Sequence, residues 1–308
     1  MPPVSYAGTT ISEPRRPGQS ATNPSIRSGV ITVVLGLAAA VLYGVGDFAG
    51  GIGARKVTAV TVLLLSYPVG AVLMAAMLPF FGGGLDGRSL GYGAAGGLAG
   101  LVGVVVLYGL MTVAPINIVS PVSAVLAAIV PVAAGVLLGE RPQVAAWVGI
   151  VLGLGAVVLV SRTTDAHPHG RVPPRIIALA CVSGVGFGLY FVALARAGDG
   201  TGLWPLVVSR VSSALLIVPI AKLRGGFTVV RDRRLLGVIV LAGACDALAN
   251  MCFLLASREG LLSIASVLTS LYPATTVLLA VVLLHEHVSR IQQVGLGLAG
   301  AAIVLITA

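Results

Sequence analysis

From Gly29 onward the chain is a succession of apolar runs, each long enough to cross a bilayer and each ended by a short polar break. A spanning helix needs about 20 mostly apolar residues. Ten runs meet that length: 29–51, 57–80, 89–111, 114–138, 143–161, 176–197, 203–222, 235–257, 262–284 and 288–307. Lipid offers backbone amides no partners, so stretches of this kind are helical. Charge collects in the breaks, among them Arg55-Lys56, Glu140-Arg141, Arg258-Glu259 and His285-Glu286-His287, and only the break at 112–113 lacks it. The expected fold is an all-α integral membrane protein with ten transmembrane helices.

Composition excludes the other classes. Charged residues make up 9% of the 308 positions and hydrophobic ones 57%, against roughly 25% and 45–50% in a soluble domain. A soluble fold, a disordered chain, a collagen and a nucleic-acid module all fall away. The net charge of +9 is scattered over many loops and forms no dense patch, so the bilayer surface accounts for it better than a polyanion. Cys181, Cys245 and Cys252 all lie in apolar runs, an odd count without disulfide or zinc spacing, and read as reduced packing residues. Residues 1–28, with five prolines among Ser, Thr and Arg, read as a disordered tail.

The chain repeats itself. Val136-Leu137-Leu138-Gly139-Glu140 returns as Val282-Leu283-Leu284-His285-Glu286, offset by 146, and Gly149 returns at that offset as Gly295. A second echo relates Gly44-Val45-Gly46 to Gly184-Val185-Gly186, offset by 140. The halves are five helices each, 29–161 and 176–308, joined by a linker over 162–175. An odd number of spans per unit makes the second unit enter the membrane from the side opposite to the first. The two repeats are therefore inverted, a design that recurs in secondary transporters with a site near the midplane.

Two five-helix units, the Leu138-Gly139-Glu140-Arg141 junction and the Tyr43-Gly44-Val45-Gly46-Asp47-Phe48 stretch together resemble the EamA-type transporters of the drug/metabolite transporter superfamily. The resemblance covers the chain after the tail. Tyr43 stands where Trp before Gly is common, and the second junction reads His-Glu in place of Gly-Glu. What the resemblance implies is a multi-pass carrier of amino acids, metabolites or amphipathic compounds, often coupled to protons.

A charge near the bilayer centre costs about 2.5–3.5 kcal/mol on insertion scales, so each one asks for a reason. Asp246 is twelfth in the eighth run, with Asn250 one turn on and hence on the same face; Arg210 is eighth in the seventh run. Two readings stand. Either Arg210 and Asp246 form a structural pair, or Asp246 takes a proton or a substrate amine while Arg210 receives a carboxylate. Asp47 reads as an interfacial carboxylate or a partner of Arg55, or else as a ligand group beside Tyr43 in space left by Gly44 and Gly46. Glu140 and Glu286, at helix junctions, read as orienting or capping groups.

Prolines supply a second pointer. The fourth run holds Pro121 and Pro131, and its counterpart, the ninth, holds Pro273. Each removes a backbone hydrogen bond, and interrupted helices in corresponding positions of two halves point to a transport site; the alternative is a plain kink. Asn117, Ser120, Ser123, Ser270 and Tyr272 lie around these positions as hydrogen-bonding groups. Gly93/Gly97, Gly96/Gly100 and Gly149/Gly153 form G-x-x-x-G patterns suited to close helix packing, within one chain or in a homodimer.

No metal or other cofactor is expected. His285-Glu286-His287 lacks the four-residue spacing of a zinc helix, and His167 and His169 fall in a Pro- and Gly-bearing loop. No Walker A sequence is present, so active transport would draw on an ion gradient. The expected partners are a small-molecule substrate, the lipid bilayer and protons, in the cell (plasma or inner) membrane.

A rival reading remains. Gly44-Val45-Gly46-Asp47 fits G-x-G-D, and with Asp246 as the second carboxylate the chain reads as an intramembrane aspartyl protease. Against this, the order is reversed relative to presenilin-like enzymes, no Pro-Ala-Leu follows, and the repeat has Phe187 where Asp47 stands. For orientation, seven Lys and Arg lie on the side of the tail and eleven on the other. Charge bias places both termini outside; the resemblance implies both in the cytoplasm, and is preferred.

Overall fold

The computed structural model describes residues 24–111, 113, 116–161, 173–223, 228–284 and 288–307. Among these every regular element is a helix: α1 (Pro24–Ala54), α2 (Ala59–Phe81), α3 (Gly87–Met111), α4 (Ile116–Leu137), α5 (Val144–Val160), α6 (Pro174–Arg196), α7 (Trp204–Leu223), α8 (Arg233–Glu259), α9 (Leu262–Ser270), α10 (Tyr272–Leu284) and α11 (Arg290–Thr307), with one 3₁₀ turn at Asp199–Thr201. Nine stretches of the described residues are long and apolar enough to cross a membrane; Val144–Val160 is a shorter apolar helix. At 17 residues α5 is about 26 Å long, just short of the hydrocarbon thickness. Pro24 opens α1 five residues before the expected start, since a proline at the first helical position has no amide to leave unpaired.

The ninth run is two helices. Pro273 has no N–H, and its ring opposes the carbonyl four residues earlier, so α9 stops at Ser270 and α10 restarts at Tyr272. The expectation of matching interruptions fails in the first half: α4 continues through Pro121 and Pro131. The reason lies in α6, whose Gly184 and Gly188 press against Ser123, Leu126 and Val130 of α4. That close approach packs α6 along the stretch of α4 that contains both prolines.

Pairing α1 with α6, α2 with α7, α3 with α8, α4 with α9–α10 and α5 with α11 leaves the packing map nearly unchanged. α1 packs on α8 as α6 packs on α3; α4 packs on α6 as α9 and α10 pack on α1; α3 packs on α7 as α8 packs on α2. α2 meets its own counterpart α7, and α5 meets α11. Exchange of the halves is thus a pseudo-twofold operation, and five crossings per half place its axis in the membrane plane. The glycine patterns serve this packing. Gly93 and Gly97 meet Val208 and Ser209 of α7, Gly96 and Gly100 meet Tyr190 of α6, and Gly149 meets Ile306 of α11. All three faces are filled within the chain. Cys181, Cys245 and Cys252 are free thiols.

Candidate functional site

Asp246 stands thirteen residues from either end of α8, at mid-depth. Gly243, one turn before it, lets Ser66 of α2 come close, and Gly46 of α1 lies against the backbone of Ala242 and Asp246. These small residues bring α1, α2 and α8 together around the carboxylate. Across from it, on α7, Arg210 donates from Nη2 to Asp246 Oδ2. The arginine side chain is 8% exposed and the aspartate 38%, so the cation is sealed in and the anion looks into open space. Gly70 gives the guanidinium room, and its carbon lies 5.3 Å from the centre of the Tyr67 ring, a cation–π distance.

Asn250 ties the pair to the first helix. Its Nδ2 donates to the Asp246 carbonyl at 2.7 Å, and its Oδ1 accepts from the Tyr43 hydroxyl at 2.6 Å. Tyr43 also faces Phe191, with ring centres 6.2 Å apart, and Tyr272, at 6.1 Å. Phe191 in turn touches Tyr190 and Phe253. Six rings from α1, α2, α6, α8 and α10 thus touch the ion pair, its Asn250 partner or one another, and four of them belong to the seven tyrosines of the chain. Tyr67, Tyr190, Phe191 and Phe253 are absent from the expectations. The usable signal was the rarity of aromatics, 5% of the chain, and their placement at mid-run.

Asp47 is neither interfacial nor paired with Arg55. Its neighbour Gly46 lies level with Asp246, and no hydrogen bond or ion pair joins the Asp47 side chain to another described residue. Within α1, Gly46, Gly50 and Gly53 face α8, and Gly44 faces Tyr272 and Thr275 of α10. Asp47 projects between those two contacts, toward the bundle centre, and is exposed there. Gly36 and Ala40, on the same face nearer the N-terminus, are buried, whereas Gly51 and Ala54, beyond Asp47, are exposed. The space before Asp47 therefore opens toward the 55–58 end of the bundle.

The opposite end is shut. Ala39, Met74, Leu203, Leu206, Phe253 and Leu254 form a buried cluster between the ion pair and that end. Above it Gly84 N donates to Gly200 O, and Arg258 Nη2 donates to Gly198 O and Thr201 Oγ1 at 2.9 and 2.8 Å. Glu140 accepts from the amides of Leu262 and Ser263, the capping role expected of it. Glu286 and the flanking His285 and His287 lie outside the described residues, as do His167 and His169.

The remaining expected residues divide. Ser123 Oγ donates to Ala180 O and Ser270 Oγ to Val267 O, so both are spent on buried backbone. Ser120 is half-buried on α4; Asn117 is the second residue of the same helix, but its side chain is outside the described residues. Ser263, Ser266 and Thr269 of α9 carry buried hydroxyls without a partner. No group of acidic, cysteine or histidine side chains able to hold a metal occurs among the described residues.

Fold and site together define a polytopic membrane protein of two five-helix repeats with a charged, aromatic-walled centre between them. The chain belongs to the EamA-like transporter family, whose model matches residues 30–162 and again 174–308. No curated protein sequence matches it significantly. A crystal structure described only as that of a protein superposes with a TM-score of 0.74 at 19% identity, over 89% of this chain and 95% of its own. At that identity the likeness concerns the fold alone.

Proposed function

We propose that this transporter is a secondary carrier of the cell membrane that moves a small amino acid-like or amphipathic metabolite by alternating access, coupled to protons. The reading rests above all on the Arg210–Asp246 pair at mid-depth, with its aspartate facing a cleft open to one end only. Buried charge in a membrane is costly and marks substrate or ion paths. A substrate carboxylate competes with Asp246 for Arg210, a substrate amine or a proton satisfies Asp246 or Asp47, and the rings of Tyr43, Phe191 and Tyr272 take an apolar body. The protease reading loses its footing, because a dyad that shares a proton needs two free carboxylates, whereas Asp246 is bound to Arg210.

The pseudo-twofold packing supports the mechanism. Two inverted halves that pack by the same contacts have a second arrangement in which the ends exchange roles. The test is counterflow in proteoliposomes, screened across amino acids and amphipathic amines. Flux that depends on pH and is lost in Asp246→Asn is expected. Flux indifferent to both would remove the site from the mechanism.

A further inference from the structure

The geometry points to a second binding site, for a phospholipid headgroup of the phosphoethanolamine class, where α3 and α6 meet the closed face. A cavity of about 450 Å³ there is lined by Arg88, Tyr92, Ala195, Arg196, Gly198 and Asp199. Arg88 is the second residue of α3 and Arg196 the last of α6, so both guanidiniums sit at the level where a spanning helix leaves the hydrocarbon. Neither donates a side-chain hydrogen bond to another described residue, and both are exposed.

The floor of the cavity is built. Gly198 has φ +90 and no side chain, and Arg88 Nη1 lies 3.6 Å from where a Cβ would stand. Its carbonyl is held at 2.9 Å by Arg258, and Gly200 is held by Gly84. Asp199 is 87% exposed at the rim, with Arg258 Nε at 3.9 Å. Arg88 and Arg196 offer guanidinium forks to a phosphate, and Asp199, left 87% exposed beside its neighbour Arg258, offers its carboxylate to a primary ammonium. A choline headgroup has no N–H to donate.

What selects a lipid over a free phosphate lies below the cavity. Arg196 continues a stripe of exposed apolar residues on α6, Val182, Val185 and Leu189, at helical spacing. Arg88 likewise continues Gly91, Ala95, Leu98 and Val102 on α3, all exposed. These stripes flank the α3–α6 seam and offer acyl chains a path directly beneath the headgroup.

Native mass spectrometry of the full-length protein in detergent, with added phosphatidylethanolamine, phosphatidylglycerol or phosphatidylcholine, tests the site. Phosphatidylethanolamine is expected to be retained best. Arg88→Gln and Arg196→Gln should each weaken it about fivefold, the scale of one arginine at a membrane surface. Arg141→Gln, on the same face but outside the cavity, should change nothing, and Asp199→Asn should erase the preference over phosphatidylglycerol. All these side chains are exposed, so melting temperatures should match the parent. Retention unchanged in the double arginine variant would overturn the site. Phosphatidylcholine held as tightly as phosphatidylethanolamine, with Asp199→Asn silent, would overturn the headgroup. Soluble phosphoethanolamine displacing the lipid at equal concentration would make this a site for a free phosphomonoester and end the lipid reading.

Discussion

The carboxylate of Glu140 accepts from the backbone amide of Leu262 at 2.5 Å and from Ser263 at 3.0 Å, so a residue of the first half caps the broken helix of the second. The first amides of a helix have no internal partners, and a carboxylate there also meets the positive end of the helix dipole. Glu140→Ala should cost about 1 kcal/mol and lower the melting temperature by about 2–4 °C. Glu140→Gln keeps one acceptor oxygen and should lose less. Equal melting of all three proteins in detergent would show that the cap contributes nothing.

The ion pair separates stability from transport. Asp246→Leu leaves Arg210 charged and uncompensated inside the bundle, a loss of about 3 kcal/mol. Arg210→Met combined with Asp246→Leu removes both charges and should regain most of that stability. Flux should be absent from both variants. A double variant that transports like the parent would make the pair purely structural.

The helical fold and the two halves were legible because lipid enforces them: run length, polar breaks and a repeated Glu are one-dimensional signals. The site was half legible. Asp246, Arg210 and Asn250 stood out as polar groups in apolar runs, and they do meet. For Asp47 two readings stayed open, because depth counted along its own run does not show that Gly46 packs level with Asp246 on another helix. The aromatic wall, Tyr67, Tyr190, Phe191 and Phe253, depends on contacts between helices far apart in sequence, which no periodicity encodes. Pro131 looked like Pro273, yet α4 runs on through its prolines while packed on the α6 glycines, and the ninth run breaks before Pro273.

Asp47 carries a different expectation from Asp246. Its carboxylate has no partner among the described residues and faces the open cleft, so Asp47→Asn should leave stability within about 0.5 kcal/mol. As a proton-binding group it should matter for coupling alone. Asp47→Asn is expected to keep substrate counterflow, which moves no net proton, and to lose accumulation driven by a pH gradient across proteoliposomes. Both activities intact would exclude Asp47 from coupling.

The closed end offers the last test. Leu203 is fully buried at the base of the loop contact, and Gly202 beside it has φ +53 with its α-carbon against the Gly82 carbonyl and Gly83. A side chain at residue 202 would be strained by that backbone angle and would meet the facing loop. In a chain with its three native cysteines replaced, Leu203→Cys should resist a membrane-impermeant maleimide while this end is shut. Adding Gly202→Ala should break the loop contact and speed labelling, and a transported substrate should speed it in the parent Leu203→Cys protein by populating the exchanged state. Labelling at one fixed slow rate in all three conditions would mean that this end never opens, and alternating access between the two halves would fail with it.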